Sequence, residues 1–127
     1  MKKKVINMRN HEKFVNDTLA NGGNTVSMTG AKPARYVFSE DKGTEQVFDL
    51  ETFNANAVKY YAMNHGSQLN HDPSKFLGSW VGDVDGVKKV FLDVSTSVDD
   101  KREALARAAA ADQLAIYDTV TGQEIYV

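Results

Sequence analysis

Between residues 10 and 20, Phe14, Val15, Thr18 and Leu19 recur at the spacing of one helix face. Asn10 can cap the start of that helix and Gly22 can end it. A period of two then takes over. Val26 and Met28 alternate with polar residues in NTVSMT, Pro33 interrupts, and RYVFS opens another strand. Glu40-Asp41-Lys42-Gly43 is a turn signal, so TEQVF is expected to fold back as a hairpin partner.

Helical spacing resumes in LETFNANAVKYYAMNH, where Leu50, Phe53, Ala57, Tyr60 and Tyr61 share a face, with Asp49 as the expected cap and Gly66 as the stop. The polar run SQLNHDPSK, 67–75, is long for a connection and reads as a loop. A second hairpin follows: FLGSWVG, a turn over Asp83-Val84-Asp85-Gly86, and VKKVFLDVS. Val90, Leu92 and Val94 share its buried face, which places Asp93 on the solvent side. Ser97 and Asp100 have capping-box spacing, predicting a helix over about 98–111. QLAIYD and EIYV close the chain around Thr121-Gly122.

The predicted order is αβββαββαββ. It implies an α+β fold: an antiparallel sheet of hairpin–helix units with about three helices, mainly on one face. The two units echo each other. Tyr36-Val37 and Trp80-Val81 open them, a glycine closes each turn, and Val47-Phe48 and Val90-Phe91 stand before an aspartate. Shared hairpin chemistry and duplication predict the same residues.

At 127 residues the chain suits a single domain, 1–127. No apolar run is long enough for a membrane span, and the lysines at the N-terminus lack the apolar segment of a signal peptide. There is no cysteine, hence no disulfide or thiolate chemistry, and a cytoplasmic location is expected. Charge is uneven. Residues 1–35 carry +5 and residues 36–127 carry −7. Residues 1–9 read as a loose basic arm, and Lys2, Lys3, Lys4, Arg9 and Lys13 are the candidates for nucleic-acid contact.

The acidic stretch VFLDVSTSVDDKREALA looks like chemistry, but its carboxylates fit a strand end and a capped helix start. His11, His65 and His71 lack metal-site spacing, no phosphate-binding glycine loop is present, and neither metal nor cofactor is expected. A small nucleotide- or metal-binding enzyme would have to use the 64–85 loops, with His71, Asp83 and Asp85. The aromatics point elsewhere. A sheet covered on one side leaves strand aromatics on the other, with Phe91 opposite Val90 and Leu92, and Trp80 between Gly78 and Gly82. Trp80, Phe91, His71 and Tyr36 are therefore the candidate partner-binding residues, toward another protein or a second copy.

The segments FLGSWVGD and KKVFLDVSTSVDDKREALARAAAADQLAIYDTVTGQEI, within residues 76–127, resemble a module of small, mostly uncharacterised accessory proteins of bacteriophages and mobile elements. That resemblance implies a setting rather than a mechanism: an inhibitor-like, non-catalytic protein that binds host or defence machinery inside the host cell. It brings no catalytic residues with it.

Overall fold

The computed structural model describes residues 8–127, with side chains from Asn10 onward. The lysines at positions 2–4 lie outside the described residues, as does the side chain of Arg9. The elements are α1 (Met8–Asn21), β1 (Gly23–Val26), β2 (Tyr36–Ser39), a 3-10 turn (Lys42–Thr44), β3 (Gln46–Asp49), α2 (Ala55–Asn64), α3 (Gly66–His71), β4 (Lys75–Val84), β5 (Val87–Val98), α4 (Lys101–Ala110), β6 (Ala115–Asp118) and β7 (Gln123–Tyr126). The fold is α+β with one antiparallel sheet ordered β1-β4-β5-β2-β6-β7, and β3 paired to β5 beside that path.

The ladder of β4 and β5 is the backbone of the molecule, paired without a break from Lys75↔Thr96 to Val84↔Val87. Its turn is only Asp85-Gly86, both at positive φ (53° and 81°), the conformation that the tightest hairpin turns require. Asp83 and Val84 thus belong to the strand rather than to the expected four-residue turn. Leu77, Val90, Leu92 and Val94 lie on one face and form the main core with Phe14 and Val15 of α1, Val58, Tyr61 and Ala62 of α2, and Leu69 of α3. Farther along the same face, Ala104 and Ala108 of α4 pack on Tyr36, Phe38 and Ile116. The alanines of α4 let the helix lie close to these rings.

Several expectations are corrected by pairing. Segments β2 and β3 do not form a hairpin with each other. Both pair with β5, β2 through Ser39↔Ser95 and β3 through Gln46↔Leu92, and the 3-10 turn fills the offset between them. Helix α2 begins at Ala55, not after Asp49, because Asn54 supplies the cap by accepting from the Ala57 N–H (2.9 Å). Asp49 is held in β3 by an ion pair with Lys89 across the ladder. Tyr60 and Leu50 are consequently exposed, whereas Phe53 and Tyr61 are core. The expected 67–75 loop contains α3, whose Leu69 is fully buried.

The end of β5 extends past the predicted cap. Ser97 pairs with Val37 as a strand residue, and its hydroxyl accepts from the Ala34 N–H (2.8 Å). Asp100 caps α4 instead, accepting from the N–H groups of Arg102 (2.8 Å) and Glu103 (3.1 Å). Two arginines fasten this half. Arg107 of α4 pairs with both carboxylate oxygens of Glu40 (2.7 and 2.6 Å) while lying over the Phe38 ring. Arg35 grips Asp118 in the same two-pronged way (3.0 and 2.9 Å), and its guanidinium holds that carboxyl well below the usual range.

Replacing Asp100 with alanine is expected to lower the unfolding free energy by about 1 kcal/mol, measured by denaturant titration with helix content followed by circular dichroism. Equal stability of Asp100→Ala and the parent would show that this carboxylate is not the cap.

Candidate functional site

Strand alternation assigns Gly78, Trp80, Gly82 and Val84 of β4, and Val87, Lys89, Phe91, Asp93, Ser95 and Ser97 of β5, to the face opposite the helices. At the end near β2 this face is closed. The 27–35 connection binds there through the Ala34–Ser97 hydrogen bond and through the Arg35 N–H donated to Asp99 (3.0 Å), and Val37, Ser39, Phe76 and Ser95 are buried. At the hairpin end the face is open.

On that open end Trp80 and Phe91, directly paired across the ladder, stack nearly parallel with ring centroids 4.3 Å apart and an interplanar angle of 9°. The indole lies over Gly82, where any Cβ would collide with the ring, so the glycine is what allows the indole to lie flat. Trp80 remains 41% exposed. Val47 of β3 pairs with Phe91 and is exposed beside it, while Val84 and Val87 pair at the hairpin tip on the same face, also exposed. Their neighbours Asp83 and Lys88 point to the helix side. The tip therefore turns its apolar residues away from the core, the reverse of what burial alone selects.

Asp93 departs most from the sequence reading. It is not on a solvated face: the residue is 8% exposed. Its carboxylate and the Ser95 hydroxyl fill the space where Gly78 has no side chain, and Ser95 donates to it at 2.5 Å. Burial pushes the Asp93 carboxyl up to about 6; the Ser95 hydrogen bond opposes that rise and the nearby Glu45 charge adds to it. On the other side of the ladder, buried Tyr61 donates its hydroxyl to the Thr44 carbonyl (2.5 Å), and burial raises its pKa.

Trp80 and Phe91 are brought together by the fold; His71 and Tyr36 are not part of their cluster. Tyr36 is 6% exposed and sits in the α4 core under the Arg35 guanidinium, so the expected surface role is corrected: its ring is packed against Ala104, Ala108 and Ile116. His71 is exposed at the end of α3, before the start of β4, whereas Trp80 lies toward the other end of that strand. The same separation divides His71 from Asp83 and Asp85 at the hairpin tip. Among the described residues no group of three His, Asp or Glu side chains is placed to share a metal ion. Lys13, the one basic candidate with a described side chain, is exposed and pairs with Asp17 at 2.7 Å.

Sequence reasoning missed Val47, Val84, Val87, Glu45 and the burial of Asp93. The valines were legible in principle: with a two-residue Asp85-Gly86 turn, Val84 and Val87 pair and share a face with Trp80. Burial of Asp93 depends on Gly78 standing opposite, which only the register reveals. Elsewhere, a shallow depression of about 530 Å³ opens between α1 and α2, lined by Glu12, Asn16, Asn54 and Asn56 among others. His11 lies buried in α1 with Nδ1 unpartnered among the described residues, and burial lowers its pKa.

A buried carboxyl with a raised pKa holds its proton better in the folded than in the unfolded chain, so its contribution favours folding at acid pH and is lost as pH climbs from about 4 through about 6. Asp93→Asn removes this term. The variant is expected to gain stability over the parent between pH 4 and 7, by up to about 3 kcal/mol, in parallel urea titrations. A gap that stays constant with pH contradicts an ionisable, buried Asp93.

Compared with known proteins, the chain matches no family model, no curated protein and no solved structure.

Proposed function

We propose that this chain is a non-catalytic binding protein that engages another protein through the open, helix-free end of its sheet. The observation that carries the reading is the Trp80–Phe91 stack, with Trp80 exposed over the half-buried Phe91 and extended by Val47, Val84 and Val87 into one apolar stripe. Exposed tryptophan on a rigid ladder is what binding surfaces use as an anchor, because little side-chain entropy is left to lose on docking. The stripe has an internal stabilisation as well: the Lys89–Asp49 ion pair beside it is neutral as a unit and leaves the surrounding valines and rings to make contact.

The resemblance of residues 76–127 to accessory proteins of phages and mobile elements gives the partner a setting. In that setting the partner is a host or defence protein, and the chain acts by covering a surface of it as an inhibitor. A second copy of the chain is the competing occupant of the same face, and light scattering at high concentration separates the two.

Affinity capture from host lysate with the parent and with Trp80→Ala, compared quantitatively, tests the reading. Proteins retained by the parent are expected to fall at least about tenfold with Trp80→Ala, the loss expected for removal of an interface anchor. Circular dichroism and thermal unfolding must show both chains folded. Equal retention of the same proteins by both chains contradicts the proposal.

A further inference from the structure

The ladder registers arrange the open face in rows. One row runs Gly23, Trp80, Phe91, Val47 across β1, β4, β5 and β3, and the next runs Thr25, Gly78, Asp93. Continuing the Gln46↔Leu92 register by one residue places Glu45 directly opposite Asp93, consistent with the repulsion that Glu45 exerts on that carboxyl. Two carboxylates facing each other across a ladder oppose folding unless a cation joins them. None does: among the described residues no lysine or arginine pairs with Glu45 or Asp93, and Lys89, the basic residue of this face, is engaged by Asp49. Glu45 is exposed, with Asp93 beneath the surface beside it. The adjoining row is aromatic and apolar, about 7 Å away along the strands.

We propose that this face receives a partner segment carrying an arginine or lysine flanked by apolar side chains, the apolar groups seated on Trp80, Phe91 and Val47 and the cation held beside Glu45 and over Asp93. The proposal rests on the binding reading above and adds the chemistry of the partner. Charge complementarity selects this occupant. A neutral apolar segment leaves the two carboxylates facing each other and uncompensated, an acidic one adds a third, and a basic side chain relieves both. The net charge of the chain, −2, favours a basic partner over an acidic one. A guanidinium gains further from the exposed indole, whose π-face attracts cations.

Trp80 is the single tryptophan of the chain, so its emission reports on this site alone. The probes are blocked five-residue peptides that alternate valine with arginine, glutamine or glutamate. The arginine peptide is expected to shift Trp80 emission saturably and to bind about tenfold more tightly than the glutamine peptide, the factor that one charge-assisted contact supplies. Glu45→Gln combined with Asp93→Asn is expected to erase that preference while the chain stays folded by circular dichroism. The groups facing Asp93 are Glu45 across one ladder and Ser95 on its own strand, with Gly78 opposite it on β4; Tyr61 of α2 lies on the other side of the sheet. Burial raises the Asp93 carboxyl to about 6, so its protonation removes one of the two charges and weakens the arginine peptide as the pH falls from about 7 to 5.

Equal binding of the three peptides, no response at millimolar concentration, or an unchanged preference in the double variant overturns the proposal. The two readings fail separately. A captured partner lost with Trp80→Ala but kept by the double variant removes the charge selectivity and leaves binding at the face intact. A partner kept by both variants removes both.

Discussion

Strand β5 has to satisfy neighbours on both edges, and the rest of the structure follows from how it does so. On one edge it pairs with β4 over ten consecutive positions. On the other it meets β2 and β3 in registers offset by four residues, and the 3-10 turn occupies the gap. Backbone groups left there cannot remain unpaired in the interior. The Thr44 hydroxyl accepts from the Val94 N–H (3.2 Å), and the Thr44 carbonyl accepts from Tyr61 of α2 (2.5 Å), so the irregular turn is bonded from sheet and helix together. Shifting β3 by one residue would break this plug and turn Val47 to the helix side.

The offset also determines what the helix-free face contains. Because β1 stops opposite Trp80 and β3 stops opposite Lys89, the hairpin runs beyond both neighbours and its tip is a free ribbon. Within the sheet, glycines replace helices as the means of packing. Gly78 gives its space to Asp93 and Ser95, and Gly82 gives its space to the indole of Trp80. The result is a buried acidic spot beside an exposed aromatic one. Burial of a carboxylate that has a hydrogen bond but no counter-charge works against folding at neutral pH, and an exposed apolar stripe works against solubility. Features that cost stability in the isolated chain are what a binding surface is expected to keep.

Much of the fold was legible because the residues that signal it act locally. Asp85-Gly86 fixes the turn of the long hairpin, the Val90, Leu92 and Val94 alternation fixes its buried face, and the alanine-rich run becomes α4. The errors came where a distant partner decided the outcome. Asp49 looked like a helix cap, but Lys89 across the ladder holds it in a strand, leaving Asn54 to start α2. Ser97 looked like a cap, but pairing with Val37 carries β5 farther and Asp100 takes the role. Residue type groups Tyr36 with Trp80, yet its position in β2 turns it under α4. Alternation alone assigns Asp93 to solvent and cannot register that Gly78 stands opposite. The site was half legible: its rings could be named, its carboxylates could not.

The central claim is that the open face between β3 and the β4–β5 hairpin, rather than the helical side, meets the partner. The chain has no cysteine, so single cysteines report without background. With the captured partner bound, Val47→Cys on the open face should be protected from alkylation by iodoacetamide, whereas Met63→Cys, on the exposed side of α2, should react as fast as in the free chain. Protection of Met63→Cys with Val47→Cys still fully reactive would place the interface on the helices and contradict the account.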